Sequence, residues 1–426
     1  MSSGKRKTRE DLIQVEYDLY TEMLIERRAK QEEDPQTIAL RLLDLRSAED
    51  LISFDETLTP SDIESVLLVV ADLLDRAVEE TVRGANPTRP TTWETIELGD
   101  GSVRVPTSVS LLLHIGENLD VPIWFRTWSS SPGYSQYLHV YARASDADEI
   151  EGFLPDLIAT ARSEMSPYLR RVVEAQLVHG NLKLRVVPTP LETRSGLIFE
   201  DDVWSAVTRN VDRLFERMDA LVQSGLGGNR GLLLAGPPGT GKTALCRVLA
   251  REYEGSATVV IVSASVGSYM LSELYERLNL LTPALVLVED LDLIVGDRQD
   301  GVGPGLIQFL TVLDGLMTRH TGVVTVATTN DARAVDAAAQ RAARFDQMVH
   351  LGLPSEEARR AILELYLMKV DHVADLASLA SQSDGLSGAD LREVVRSAIL
   401  DADDGTVRQK DLAAASDRLM QAKETA

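Results

Sequence analysis

"GPPGTGKT", Gly236–Thr243, is the stretch whose reading decides the fold. It satisfies G-x-x-x-x-G-K-[ST] and lies between the apolar run "GLLLA" and the helical pattern "ALCRVLAREYE". Glycines at these places let backbone N–H groups point at phosphate oxygens with no side chain in the way, and a helix start adds unpaired N–H groups of its own. The run therefore predicts a strand, a phosphate-cradling loop (Gly236, Pro237, Pro238, Gly239, Thr240, Gly241) and a helix opening at Lys242, Thr243 and Ala244. Lys242 would reach the β- and γ-phosphates of a nucleotide, and the Thr243 hydroxyl would ligate Mg²⁺. A Gly-Pro turn with a chance lysine would lack the flanking strand and helix.

Around this loop, strand and helix patterns alternate: the helix "DDVWSAVTRNVDRLFERMDALVQ" and the strands "TVVIVSAS", "ALVLV" and "GVVTVATT", each strand separated by helical sequence. Such alternation predicts an α/β domain, a parallel sheet with helices on both faces. Ligands gather beyond the carboxyl ends of strands in such sheets, so the acids of "LVLVEDLD", Leu285–Asp292, belong to the same site. Hydrolysis needs a carboxylate at the metal, a group that positions water and a positive charge at the γ-phosphate.

With these residues in place, residues 195–426 resemble the AAA+ ATPases, specifically the AAA subgroup. "GPPGTGKT" is similar to the family's Walker A and "LVLVEDLD" to its Walker B, "LIQFLTVLDGL" resembles the helix that follows, and "VATTND" is similar to sensor 1. The resemblance implies ATP and Mg²⁺, with Asn330 orienting the attacking water. "VDAAAQRAARFD" resembles the arginine-finger segment, with Arg341 and Arg344 donated to a neighbouring subunit of a ring, by the family's habit a hexamer. "GLSGADLREVV" is similar to the lid helix in which Gly388 and Ala389 approach the nucleotide.

Three departures stand out. The family's acidic pair is aspartate then glutamate, whereas here Glu289 precedes Asp290. Neighbouring residues of an extended strand point to opposite faces, so the unshifted register gives Glu289 the metal side and Asp290 the water side, with Asp292 matching the family's third acid. Ala343 stands at a usual glycine. The segment before "ALVLV" is short and holds no clear aromatic-Gly pore loop; Tyr269 is either a pore residue or a packing residue.

The predicted domains are a helical N-terminal region (1–84), a small α+β module (85–190), the large α/β ATPase domain (191–352) and a helical lid (353–426). In the first, Ile13, Tyr17, Tyr20 and Leu24 recur at helical spacing, as a core stripe or as a contact surface. "VPTPLETRSG" reads as a linker. A formal charge of −23 disfavours nonspecific binding to nucleic acid or anionic membrane. The lone Cys246 forms no internal disulfide, the six histidines lack metal-ligand spacing, and no apolar run reaches about 18 residues. A cytoplasmic homo-oligomer that remodels a protein substrate or adaptor, without nucleic acid or membrane, is the expectation. A slow-cycling nucleotide switch or assembly scaffold is the alternative.

Overall fold

The computed structural model describes residues 34–58, 62–74, 91–98, 101–115, 121–129, 136–178, 181–225, 229–263, 266–267, 270–294, 322–330, 345–402 and 405–424. The chain divides into two compact units, Met1–Ser166 and Pro167–Ala426.

The first unit contains α1 (Pro35–Leu42), β1 (Leu51–Leu58), α2 (Ile63–Leu74), β2 (Thr92–Glu97), β3 (Ser102–Ile115), β4 (Val121–Ser129), β5 (Gln136–Arg143) and α3 (Phe153–Arg162). Its strands form an antiparallel sheet in the order β1-β5-β4-β3-β2. Alternation puts Val109, Leu111, Ile123, Phe125, Leu138 and Val140 on one face, where Val66 and Val70 of α2 and Leu154 and Ile158 of α3 cover them. On the other face Trp124 is buried beneath Ile38 and Ala39 of α1. The expected helical region 1–84 is thus corrected. In "LISFDETL" Ile52, Phe54 and Leu58 share a strand face, and the segment pairs with β5 from Leu51↔Arg143 to Leu58↔Gln136. The proposed Ile13–Leu24 stripe lies outside the described residues.

The second unit opens with β6 (Val172–Val178) and β7 (Asn181–Val186), then α4 (Asp201–Val207), α5 (Arg213–Gln223), β8 (Arg230–Ala235), α6 (Lys242–Tyr253), β9 (Thr258–Val262), α7 (Leu271–Leu278), β10 (Ala284–Val288), β11 (Val323–Thr329) and β12 (Gln347–His350). These strands make one sheet in the order β12-β8-β11-β10-β9-β6-β7, parallel except for the β6–β7 hairpin. The expected boundary at 190 falls at 166 instead, because Val173, Ala175, Leu182 and Leu184 extend the core that β9 and β10 share with α7. Along β10, Val286 and Val288 face that layer, while Leu285 and Leu287 face the layer of α4 and α6. Between α4 and α5 the helix widens into a π turn, Thr208–Asp212. There the buried Asn210 gives its side-chain N–H to the Ala206 carbonyl at 2.7 Å.

The remaining elements are α8 (Glu356–Leu367), β13 (His372–Val373), α9 (Leu376–Gln382), α10 (Gly388–Asp401), β14 (Val407–Arg408) and α11 (Gln409–Glu424), packed on Leu363, Leu379, Leu391, Val394 and Leu412. Arg359 is buried, and its guanidinium donates to the carbonyls of Ala380 (2.8 Å) and Pro354 (3.0 Å) and to Asp384 (3.0 Å).

In the first unit, Arg162 Nε and Nη2 donate to the two carboxylate oxygens of Asp62 at 3.1 and 2.8 Å, and the Asp62 side chain is only 7% exposed. Removing one partner of a buried pair leaves a charge in a poorly solvated place. Arg162→Ala is expected to lower unfolding stability by about 2 kcal/mol, below the fully buried case because the arginine is half exposed. Denaturant titration followed by tryptophan fluorescence measures it.

Candidate active site

The loop between β8 and α6 is shaped by glycines whose lost side chains have identifiable neighbours. A Cβ on Gly236 would collide with the Leu351 carbonyl, so the loop passes directly against the end of β12. Gly239 (φ +81°) and Gly241 (φ +98°) occupy the left-handed region, which other residues adopt only at a cost. A Cβ on Gly239 would also lie 2.5 Å from Ser387 Oγ and 3.1 Å from the Ala389 methyl. The Ala389 N–H donates to the Gly239 carbonyl at 3.1 Å. The N-terminus of α10 therefore rests on the phosphate loop. A capping box holds that helix end: Ser387 Oγ accepts from the Asp390 N–H, and Asp390 accepts from the Ser387 N–H. Lys423 of α11 donates to the same Asp390 carboxylate.

A cleft of about 680 Å³ opens over the loop. Its walls include Pro238, Gly239, Thr240, Gly241, Lys242, Thr243 and Ala244 from the loop and α6, Asp290 and Asn330 from the strand ends, and Gly388 and Ala389 from α10. Lys242 Nζ donates to the carbonyls of Gly236 (2.7 Å) and Pro237 (2.9 Å). Burial lowers its pKa, against the charges of Asp290 and Asp292, which raise it.

The two inverted acids part company at the end of β10. Glu289 continues the odd-numbered face of Leu285 and Leu287, toward α6, and is half buried. Burial lifts its pKa above the ordinary carboxylate value; Arg247 on α6 pulls it down and Asp290 pushes it up. Asp290 turns the other way, in the left-handed region at φ +48°. Its N–H donates to Thr328 Oγ1 at 2.9 Å, and its Oδ1 accepts from Asn330 Nδ2 at 3.1 Å. Asp290 and Asn330 face the cleft together. Arg341, Arg344 and Tyr269 lie outside the described residues.

Two groups of residues around the cleft are absent from the motif-based prediction. Gly196, Leu197, Ile198 and Phe199 line the cleft opposite Leu353, Pro354, Ile362 and Tyr366, forming an apolar end beyond the phosphate loop. The apolar run "GLIF" just before α4 was the available hint. The segment leading to it, expected to be a linker, is instead a strap bound along α6. Thr189 donates to Glu254 (2.5 Å), Arg251 donates to the Leu191 carbonyl (2.7 Å), Arg247 donates to Glu192 (3.2 Å), and Arg194 bonds both Glu252 and Asp212.

A parallel sheet, a glycine loop that opens a helix, and an acid–amide pair over the loop define a P-loop nucleotide-binding domain with a helical lid. Residues 232–353 match the model of the ATPase family associated with various cellular activities (AAA). Over these residues the chain carries an AAA ATPase domain. It is 36% identical over 188 residues to an ATP-dependent zinc metalloprotease FtsH of Marinobacter nauticus, covering 41% of this chain and 30% of that protein. To FtsH 2 of Sphaerobacter thermophilus it is 38% identical over 208 residues, 45% of this chain and 32% of the relative. To FtsH of Rhodococcus erythropolis it is 36% identical over 186 residues, 40% and 22%. The aligned part spans less than a third of the length of these relatives.

The nucleotide of this family is ATP, taken with Mg²⁺. Thr243 lines the cleft, whereas the half-buried Glu289, expected on the metal side, is not among the residues that line it; a hydroxyl and a carboxylate are hard oxygen donors of the kind this ion takes. Among the described residues no group of three or more His, Cys, Asp and Glu side chains is gathered in the manner of a metal site.

Gly239→Ala is expected to weaken ATP binding about tenfold, since it combines a left-handed backbone with a collision against Ser387. Titration with a fluorescent ATP analogue reads this, and Lys242→Ala in the same assay is expected to abolish measurable binding.

Proposed function

We propose that the chain hydrolyses ATP in this cleft and uses the cycle to remodel or disassemble protein partners, acting as a homo-oligomer, in the simplest case a hexameric ring. Hydrolysis is carried by one observation, the 3.1 Å hydrogen bond from Asn330 Nδ2 to Asp290 Oδ1 on the cleft wall. A carboxylate so held can take a proton from water while the neighbouring amide orients that water. Lys242 and the loop N–H groups bind phosphate oxygens, and Thr243 and Glu289 hold the metal side. Held there, Mg²⁺ would supply positive charge to offset the negative charge that develops during phosphoryl transfer.

The ring reading rests on Arg341 and Arg344, whose spacing resembles the family's finger segment, and on the family's habit of assembly. The relatives' names describe ATP-dependent proteases; the shared part is the ATP-driven one, and proteolysis stays with those proteins. The first compact unit, with its own core, is the element we assign to selecting a substrate or adaptor. The charge of −23 supports protein partners over nucleic acid or an anionic membrane surface, and the setting we assign is cytoplasmic. Among the described residues no helix is long and apolar enough to cross a membrane.

A slow-cycling switch or assembly scaffold is the second reading, and Glu289 favours it. It puts the longer side chain where the family has aspartate, and its half-buried carboxylate is not among the residues that line the cleft. Steady-state turnover measured together with native mass, with and without ATP, separates the two. Fast turnover in a hexamer supports the remodelling motor, and slow turnover with ATP-dependent assembly supports the switch.

Asp290→Asn is expected to cut turnover by about 10²- to 10⁴-fold with ATP affinity retained, the range for loss of a general base. Undiminished turnover would remove Asp290 from that role. Arg344→Ala subunits mixed with Lys242→Ala subunits should recover part of the activity that each lacks alone if the finger acts between subunits.

A further inference from the structure

The third acid of "LVLVEDLD" has no part in the chemistry above, and it does not line the cleft. It is nevertheless tied to the residues that do. One carboxylate oxygen of Asp292 accepts from the Thr329 hydroxyl, and the other accepts from the Asn330 N–H at 3.0 Å. These bonds run from the segment after β10 to the last residue of β11 and the one beyond it. Two more bonds cross the same gap: Asp290 N–H to Thr328 Oγ1, and Asn330 Nδ2 to Asp290 Oδ1. The two strands are parallel neighbours, and their ladder ends at Val288↔Ala327. Past that point these side-chain hydrogen bonds link the two chain segments.

Asn330 has left the strand, so its backbone direction is set by what its N–H bonds, and that acceptor is Asp292. Asp290 is in a left-handed conformation with no glycine to ease it, and Thr328 holds its N–H. A shift of either segment breaks the Asn330–Asp290 contact, and displacement of about 1 Å can cost on the order of a hundredfold in rate.

We infer that Asp292 is a positioning residue: by clamping the Thr329 hydroxyl and the Asn330 N–H, it holds Asn330 and Asp290 at the separation that water activation requires. The inference rests on the ATP hydrolysis reading for its kinetic consequence, but its structural half is independent of turnover.

The test uses the full chain carrying Asp292→Ala, Asp292→Asn, Asn330→Ala and the Asp292→Ala/Asn330→Ala pair. Affinity for a fluorescent ATP analogue with Mg²⁺ should stay within about twofold of wild type, as expected of a group off the cleft wall, while turnover falls by about 10- to 100-fold in Asp292→Ala. Asp292→Asn, which keeps one carbonyl acceptor, should fall less. Because Asp292 acts through Asn330, the double variant should be no slower than Asn330→Ala alone. Amide hydrogen exchange should speed up at the C-terminal end of β11 in Asp292→Ala and stay unchanged in β9. A loss in the double variant equal to the product of the single losses, unaltered turnover, or loss of ATP binding in both single Asp292 variants would overturn the role. If the wild-type protein shows no turnover, the hydrolysis reading fails; exchange at the end of β11 then decides the clamp, with unchanged exchange overturning it.

Discussion

Parallel pairing imposes the constraint on which the site depends. β8, β11 and β10 run side by side in the same direction, with Ala235 opposite Thr329 and Ala327 opposite Val288, so all three run out at one edge of the sheet. The backbone beyond that edge must find partners other than strands. The phosphate loop finds them in a helix start and in the lid, and the acids find them in the threonines of β11. Where a strand ladder stops, the residues that finish its hydrogen bonding are the ones placed to meet a ligand.

The same geometry gives the exchanged acids their separate surroundings. Strand alternation commits Glu289 to the α6 side before any contact forms, and the left-handed turn at Asp290 sends the next carboxylate over the cleft. The longer acid thus sits on the more enclosed side, near Cys246 and Arg247, and the shorter one on the open side, within reach of an amide. Burial also raises the Cys246 thiol pKa, with Glu289 and Asp290 adding to it, so this cysteine is a packing residue beneath the loop.

Legibility in the sequence followed the range of the forces involved. The phosphate loop was readable because its requirement is local: eight consecutive residues carry the glycine, lysine and hydroxyl that the chemistry needs. The acids were readable because a fully apolar strand announces its own end. The strap was not, because its bonds to α6 and Glu254 join residues 55 to 65 positions apart, and prolines made the segment look free. β6 and β7 were assigned to the wrong body for a related reason. A hairpin completes whichever sheet edge its apolar face fits, and nothing in "NLKLRVV" names that edge. β1 was hidden by its helical surroundings, although its alternation was present. Arg359 reads as a surface charge at a helix start, and its burial appears only once Ala380 and Pro354 come together.

That buried arginine has a mechanical meaning. From α8 its guanidinium bonds Ala380 within α9, Asp384 just after that helix, and Pro354, so the lid's first helices and the chain entering them are locked to one another from within. A body braced in this way does not deform cheaply; it turns as a whole. Gly352 and Leu353, which enter that body just before Pro354, stand among the residues that line the cleft. The same helical body carries Ala389, whose N–H meets the Gly239 carbonyl. Lid and phosphate loop therefore meet at one defined backbone contact that a braced body holds in place.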